Sequence, residues 1–186
     1  MKDQTENQQL SEEIRFHLLQ LRDGTEDERY EAVGYLRESR CKHPVVIEAL
    51  VDAIYNSLGS VRILAAETLS KFGERPADAI PVLTTVIDVA DEFVFSDRPP
   101  NLKMTLRVAV GALGNFGKEA KGTTKHLLKA LFDDDKNVSG YAALSLGKIG
   151  AVEALPALRA ALEMEKTYEC RCAIEEAIEM LKKQTQ

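Results

Sequence analysis

The stretch that decides the fold is Val138–Gly150, which reads VSGYAALSLGKIG. Earlier in the chain, Val61–Gly73 reads VRILAAETLSKFG and aligns with it without a gap. Both stretches have two adjacent alanines near the middle, a leucine one turn later, and a large apolar residue directly before a final glycine. Apolar residues that recur three and four positions apart form one face of an amphipathic helix. The chain therefore repeats a helix of a single design.

The same helical pattern occurs five times, and one alanine position marks each copy. These alanines are Ala32, Ala65, Ala109, Ala142 and Ala173. Each copy follows a second amphipathic pattern, and turn signals such as NSLGS and DDDKN lie between the helices. Gly73, Gly117 and Gly150 stand where three of the marked helices should end, so we predict that they cap helix C-termini. Pro81 and Pro156 are predicted to lie in the first turn of the preceding helix of their pair.

The repeat predicts an all-α fold, an α-solenoid (α-α superhelix) of about five antiparallel helix pairs, because one pair cannot bury its apolar stripe alone. We expect a flexible polar N-terminus at 1–10, a single repeat domain at 11–182 and a polar tail at 183–186. The predicted pairs are approximately 11–39, 44–73, 77–117, 120–150 and 152–182.

The pattern Val-Arg-x-x-Ala-Ala-x-x-Leu-x-x-Phe/Ile-Gly, clearest at Val61–Gly73 and Val138–Gly150, resembles a HEAT repeat. The short period is similar to that of the HEAT-like units of the phycobilisome-lyase type, and AVEALPALRAAL fits the first helix of that type. The resemblance covers roughly residues 12–182 and concerns architecture. It implies that the second helices line a concave face where ligands bind. The arginine of the second helix is kept at Arg29 and Arg62 but is replaced in later copies, so a ladder built on it should be incomplete.

The composition is that of a soluble globular protein, with 45% apolar and 29% charged residues among 186. The N-terminal stretch is polar and lacks the apolar region of a secretory signal. No run approaches the roughly 18 apolar residues of a membrane span. Three cysteines, an odd number, are typical of reduced thiols in a cytosol. We therefore expect a cytoplasmic protein that does not bind a membrane.

Few residues could carry catalysis or hold a metal. There are three histidines, and no His-Glu dipeptide of the kind found in HEAT-repeat metal-dependent hydroxylases occurs. Cys41 and His43 are predicted to lie several helix layers from Cys170 and Cys172, too far apart for one zinc site with Zn–S bonds of about 2.3 Å. The glycine-rich stretch GALGNFGKEAKG follows a helix and lacks the spacing of a phosphate loop. We expect no catalytic residue, no metal site and no cofactor.

The predicted function is a non-catalytic protein–protein interaction module or scaffold that binds another protein on its concave face. Positions two before and two after the shared alanine are expected to point outward, and tyrosine and arginine there are common in interface hot spots. The partner-binding residues predicted on this face are Tyr30, Ile63, Arg107, Tyr141 and Leu144. An unremarkable surface with scattered apolar groups is the competing interpretation. A phycobilisome-related bilin lyase-like subunit, or an assembly or degradation factor, is a further alternative that the repeat type suggests.

A local excess of basic residues leaves nucleic-acid binding open as a third function. The net charge of −6 disfavours a wide nucleic-acid surface. Between Pro99 and Lys129, however, bases outnumber acids, and the candidate patch consists of Lys118, Lys121, Lys125 and Lys129. A solvated outer face is the alternative interpretation, and we expect nucleic acid to be an unlikely partner.

The third repeat is longer than its neighbours, since the alanine spacing rises to 44 residues between Ala65 and Ala109. Eleven extra residues make about three helical turns, so the insertion can lengthen both helices without rotating their core faces. We predict a longer third hairpin, in which the helix continues through Phe93 and Asn101 caps the next one. Phe93 and Phe95 are candidates for partner docking, and local packing is the alternative for the same stretch.

Overall fold

The computed structural model describes residues 10–57, 59–92 and 99–184, which form ten α-helices, two 3₁₀ helices and no strand. The α-helices are α1 (Glu12–Asp23), α2 (Glu26–Ser39), α3 (Pro44–Asn56), α4 (Gly59–Phe72), α5 (Pro76–Asp91), α6 (Pro100–Asn115), α7 (Thr124–Leu131), α8 (Lys136–Ile149), α9 (Leu155–Met164) and α10 (Tyr168–Gln184). The 3₁₀ helices, Gly117–Thr123 and Val152–Ala154, lead into α7 and α9. Among these helices, none is both long enough and apolar enough to cross a membrane.

The helices pack as neighbouring pairs, which confirms the predicted all-α solenoid. The chain divides into two compact units, Met1–Ala79 and Ile80–Gln186. In the first unit, α1 packs on α2 and α3 on α4, and α2 also packs on α4. In the second unit, α8 lies between α6 and α10, while α7 packs on α8 and α9 on α10. The helices that carry the shared alanine are therefore direct neighbours within each unit.

Small residues at the helix contacts account for this close packing. The first four shared alanines are completely buried, and Ala173, in the last helix, is half-buried. Two buried glycines allow an even closer approach of neighbouring helices. A Cβ atom on Gly114 of α6 would lie 2.9 Å from the Cα of Ser145 in α8, and one on Gly147 of α8 would lie 3.0 Å from the Cα of Ala177 in α10. Only glycine fits at these two crossings.

In three pairs, a polar residue two or three before the shared alanine ties the second helix to the end of the first helix or to the turn after it. Arg29 donates to a carbonyl of the α1–α2 turn at 3.0 Å, and Ser139 donates to the carbonyl of Leu131 at 2.6 Å. In α10 the arginine stands one position later, where Arg171 donates to the carbonyl of Leu162 at 2.7 Å. These bonds satisfy carbonyls that the end of the first helix leaves unpaired. In these three pairs the side chain thus joins the two helices of a hairpin.

The predicted C-terminal caps are confirmed, whereas two predictions about helix starts are wrong. Gly73, Gly117 and Gly150 all have φ between 55° and 75°, the left-handed conformation of a helix-ending glycine. Pro81 is the sixth residue of α5 and not part of its first turn, because the helix already begins at Pro76. Asn101 is not an N-cap, because α6 begins one residue before it, at a proline whose missing N–H is harmless at that position.

The two helices of the third hairpin, α5 and α6, have 16 residues each, against 13 and 14 in α3 and α4. Ala90 is buried, as its place in the apolar stripe predicts. The helix α5 then ends at Asp91. The predicted continuation through Phe93 lies outside the described residues, and so does Phe95.

Candidate protein-binding surface

Helix α8 leaves one narrow stripe of its surface uncovered, because α6, α7 and α10 surround the rest of it. Within Val138–Ile149, only Tyr141, Leu144 and Lys148 are not buried. Tyr141 is 47% exposed and Leu144 is half-buried. Residues spaced by three and four lie on one side of a helix. Tyr141 and Leu144 therefore form a continuous apolar stripe that points away from the core.

The neighbouring helix α6 continues this stripe with residues at equivalent places. Met104 is 61% exposed, Val108 is half-buried, and Gly111 stands opposite Leu144 in the repeat alignment. A Cβ atom on Gly111 would meet no atom within 4 Å, so the surface is open at this position. Met104 and Gly111 are seven residues apart, which corresponds to about 10 Å along the helix. We call the surface made by Met104, Val108, Gly111, Tyr141 and Leu144 the α6–α8 face.

Helix α10 borders this face and changes its character. Tyr168, at the start of α10, is 76% exposed, and Cys172 is exposed one turn later. Further along the same side, Glu175 and Glu179 are exposed where α8 has Leu144 and Lys148. The outward side of the second unit is therefore apolar at the α6–α8 face, basic at Lys148 of α8, and acidic at Glu175 and Glu179 of α10.

The structure corrects the prediction of which positions, counted from the shared alanine, face solvent. Residues two before the shared alanine were expected to face solvent, but Gly140 is buried and lies against Ala173 at 3.6 Å from its hypothetical Cβ atom. Arg107 and Arg171, at the same position, turn sideways to bond groups at the start of the next helix or in their own hairpin. In the second unit, the residues that point outward stand one before and two after the shared alanine. Tyr141 and Leu144 satisfy this corrected register.

Arg107 has a structural partner, which weakens its interpretation as a free anchor. Its guanidinium donates from Nε to a carboxylate oxygen of Asp135 at 2.8 Å and from a terminal nitrogen at 2.6 Å. The Asp135 side chain is 5% exposed and caps α8 by accepting from the backbone N–H of Asn137 at 3.0 Å. Burial opposes ionisation, but the bonds from Arg107 and Asn137 outweigh it and hold the pKa of Asp135 below its usual range. Arg107 thus fastens α6 to the start of α8.

Tyr30 and Ile63 lie in the first unit, on α2 and α4. Tyr30 is exposed, whereas Ile63 is half-buried. The corrected outward register gives no apolar stripe here, because α2 has Glu31 one before its shared alanine and α4 has Glu67 two after it. Glu67 is paired with Arg37 at 3.4 Å and with a lysine of its own helix. The unburied positions of the first unit therefore combine Tyr30 and Ile63 with acidic residues.

The first unit also contains an open cleft of about 300 Å³. Its walls come from α1, from the start of α2 and from α3, and include Leu18, Val45 and Asp52. Arg29 also borders the cleft, but its Nε and one terminal nitrogen donate to backbone carbonyls at 3.0 and 3.1 Å. The guanidinium is therefore used mainly to hold the α1–α2 turn.

The candidate basic patch is partly neutralised by the protein itself. Lys118, Lys121 and Lys125 are exposed. Lys129 donates to Asp91 of α5 at 2.8 Å, and the hydrogen bond and charge of that carboxylate raise the pKa of Lys129. A second carboxylate of α5, Asp88, lies 4.0 Å from the same ammonium group. Lys129 thus joins α5 to α7, and three lysines of the predicted patch remain as exposed surface charges.

The thiols are separated by their surroundings. Cys170 is buried, its Sγ lies 3.5 Å from the Oγ of Ser139, and burial raises the pKa of its thiol. Cys172 is exposed on the opposite side of the helix, as the spacing of two residues predicts. Among the described residues, no three His, Cys, Asp or Glu side chains are grouped so that they could hold a metal ion.

Sequence reasoning missed Met104, Val108, Tyr168 and Cys172. The signal that could have found them is the repeat alignment itself. Met104 and Tyr168 stand five before the shared alanine of their helices, and Val108 and Cys172 stand one before it. Together with positions two after, these form one helical stripe, since the spacings are four and three.

Comparisons with known proteins agree with the architecture. Residues 96–179 match the family model for HEAT repeats. Among solved structures, a chain in the complex of CpcE and CpcF of phycocyanin lyase from Nostoc sp. PCC7120 has the same fold, with a TM-score of 0.67 and 21% sequence identity. The match covers 98% of this chain and 69% of that chain. At this identity the likeness concerns the fold alone. The comparison with curated proteins gave no match.

Proposed function

We propose that this chain, a HEAT-like repeat protein, is a protein-binding module that receives its partner on the α6–α8 face. The observation that carries the proposal is the unburied apolar stripe on two adjacent helices. Met104 and Tyr141 expose about half or more of their surface, and they lie on two helices that pack against each other. Contiguous exposed apolar patches commonly mark sites of protein–protein interaction.

The composition of the face supports binding to a protein in particular. Tyrosine and methionine are enriched at interfaces, and tyrosine is prominent among the residues that dominate binding energy. The face is held rigidly, because α8 is packed on three sides and Arg107 fixes α6 to the start of α8. A rigid surface loses little conformational entropy when a partner binds.

The test is affinity capture from the native host by the wild-type chain and by Met104→Glu, followed by quantitative mass spectrometry. A glutamate in the centre of an apolar interface must be desolvated without a partner, so proteins that bind the face should be depleted at least about tenfold. The matched control is Leu19→Glu on α1, which changes a leucine of similar exposure in the first unit.

The proposal predicts proteins that are lost with Met104→Glu and retained with Leu19→Glu. Far-UV circular dichroism and thermal unfolding should be the same for the wild-type chain and both variants, since both positions are exposed. If every captured protein is retained equally by the two variants, the α6–α8 face is not the binding surface.

A second candidate, a subunit related to the phycobilisome bilin lyases, is favoured by the fold match that spans 98% of this chain. Its direct form requires that the chain hold a bilin. The test is titration of the purified chain with a bilin while the visible absorption spectrum is recorded, with Leu19→Glu and Met104→Glu as surface controls. A shift that saturates at one bilin per chain would support the candidate, and an unchanged spectrum would remove direct bilin binding.

A further inference from the structure

We propose that the open cleft between α1 and α3 binds a small monocarboxylate with an apolar chain, such as a medium-chain fatty acid. The cleft lies in the first unit, so this inference is independent of the binding surface proposed on α6 and α8. It is carried by the apolar walls of the cleft, by the guanidinium at one end and by a buried hydroxyl group at the same end.

Much of the cleft is lined by apolar side chains. Leu18 and Leu21 of α1 line one side, and Val45, Ala49 and Ala53 of α3 line the other. Val45 is 51% exposed, so part of this apolar wall is open to water. The lining of α3 extends from Val45 to the residue after the helix, about 18 Å along its axis. An elongated apolar cleft of about 300 Å³ favours an apolar chain, which leaves water when it binds.

The guanidinium of Arg29 provides a positive charge at one end of the cleft. Arg29 is half-buried, and it donates to the carbonyls of Gly24 and Arg22 at 3.0 and 3.1 Å. These bonds fix the guanidinium plane and leave its second terminal nitrogen able to donate. Among the described residues Arg29 makes no ion pair, and the carboxylate of Asp23 is held by Arg22 at 2.7 Å. A half-buried cation bonded to neutral groups alone favours an anionic ligand.

The hydroxyl of Ser57 is a second donor at the same end. Ser57 lines the cleft and is 3% exposed. Its hydroxyl makes no hydrogen bond to any residue that the structure describes, whereas buried polar side chains normally have a partner. Arg29 is bonded to the end of α1, and Ser57 follows the end of α3. Because α1 and α3 are the first helices of successive hairpins, they run in the same direction, and the two donors lie at the same end of the cleft.

One acidic residue of the lining narrows the choice of carboxylate. Asp52 is exposed, and its Oδ1 accepts from the side-chain amide of Asn56 at 3.1 Å. Asp52 stands five residues before Ser57, about 7.5 Å along α3. A ligand with a second carboxylate on its chain would be repelled by Asp52, because like charges at short distance cost free energy. The cleft therefore favours one carboxylate at the end of an apolar chain.

The experiment is isothermal titration calorimetry of the full wild-type chain at low ionic strength, with octanoate as the probe. The comparison compounds are 1-octanol, which has the same chain without the charge, and octanedioate, which adds a second carboxylate. The variants are Ala49→Leu, which fills the cleft, and Ser57→Ala, which removes the hydroxyl. The matched control is Ala157→Leu, because Ala157 is half-buried in α9 directly before a buried leucine, as Ala49 is in α3.

Octanoate should bind the wild-type chain with a Kd of about 1 mM or lower, and at least about threefold more tightly than 1-octanol or octanedioate. Ala49→Leu should weaken octanoate binding at least about fivefold, because the leucine occupies the space of the apolar chain. Ala157→Leu should leave the Kd unchanged. Ser57→Ala should lower the preference for octanoate over 1-octanol about threefold, since one hydrogen bond to the carboxylate is lost. Far-UV circular dichroism checks that the variants are folded, and Ser57→Ala decides the test if Ala49→Leu is not.

Three results would overturn the inference. The first is the absence of saturable heat with octanoate up to about 10 mM. The second is binding to Ala49→Leu that is as tight as binding to the wild-type chain, which would place the ligand elsewhere. The third is equal affinity for octanoate and 1-octanol, which would remove the carboxylate from the ligand class. None of these results bears on the α6–α8 face, which the capture experiment tests separately.

Discussion

Two glycines three residues apart in α6 should respond in opposite ways to the same substitution. Gly111→Ala places a methyl group where no atom lies within 4 Å. Gly114→Ala places it 2.9 Å from the Cα of Ser145 and 2.5 Å from its Oγ. Both residues are inside the helix, so the local effect of replacing glycine by alanine is the same at both. The difference between the two variants therefore measures the contact between α6 and α8.

The expected gain at Gly111 follows from helix propensity alone. Alanine in a helix interior is more stable than glycine by about 0.5–1 kcal/mol, because glycine loses more backbone entropy on folding. For a chain of this size, each kcal/mol corresponds to about 2–4 °C in melting temperature. Gly111→Ala should therefore raise the free energy of unfolding by about 0.5–1 kcal/mol. Gly34→Ala in α2, where the surroundings are equally open, should give a similar gain and serves as the control.

The expected loss at Gly114 follows from a clash with the backbone of α8. The Oγ of Ser145 can rotate, but its Cα cannot, so α6 and α8 must move apart. Overpacking of this kind costs about 1–3 kcal/mol, which exceeds the propensity gain. The same movement lengthens the bond that Ser145 donates to the carbonyl of Val110 at 2.8 Å. We expect Gly114→Ala to lower the free energy of unfolding by about 1–2 kcal/mol.

The assay is urea unfolding followed by far-UV circular dichroism, with midpoint and slope fitted for each variant. The midpoint should rise for Gly111→Ala and Gly34→Ala and fall for Gly114→Ala. The reasoning would be refuted if Gly114→Ala were as stable as Gly111→Ala, because close approach of α6 and α8 would then not require the glycine.

Three further predictions concern buried polar groups of the second unit. The pKa of Glu165 is lowered to about 2, mainly by a hydrogen bond from the backbone amide of Thr167, so the ionised side chain stabilises the fold above pH 4.5 and loses that contribution, up to about 3 kcal/mol, as the pH falls toward 2. In acid unfolding, the free energy of unfolding of Glu165→Gln should lack this dependence on pH. An unchanged pH dependence would contradict the prediction. Arg107→Leu leaves the buried carboxylate of Asp135 without its cation and should cost about 3 kcal/mol in urea unfolding, and a loss below 0.5 kcal/mol would show that the pair is not needed. Ser139→Ala leaves the carbonyl of Leu131 without the bond from the hydroxyl and should cost about 1–2 kcal/mol by the same assay, whereas a neutral effect would mean that water replaces the hydroxyl.

The fold could be predicted from the sequence because the repeated positions are residues of the core. Four of the five shared alanines are buried where the alignment places them, and Gly150 ends α8 in the left-handed conformation. These features depend on local spacing and on the residue type alone. The assignment of Pro81 to a first turn was wrong, because Pro76 is an equally good first-turn residue and α5 begins there.

The residues of the candidate site were predicted in part, and the errors concern the direction in which a side chain points from its helix. A shift of one residue turns a side chain by about 100° around the helix. Gly140, two before its alanine, was therefore assigned to solvent although it lies against α10. The partner of Arg107, Asp135, is 28 residues away and lies in a loop signal that is equally consistent with a plain turn. The spacing of residues in the sequence predicts that a helix has an apolar stripe. The contacts with neighbouring helices determine which side of the helix is buried.

The glycines of the second helices illustrate why residue type alone cannot define the surface. Gly34 and Gly111 stand two after the shared alanine and face open space, whereas Gly114 and Gly147 stand five after it and permit close helix crossings. The two kinds of glycine position lie three residues apart in the repeat, and the residue type alone does not distinguish them. Their effects are nevertheless connected, because the close approach at Gly114 sets the distance between α6 and α8. It therefore also sets how far apart the residues of the α6–α8 face lie on the two helices. A variant that widens the crossing should therefore alter binding at the α6–α8 face even though no residue of the face has changed.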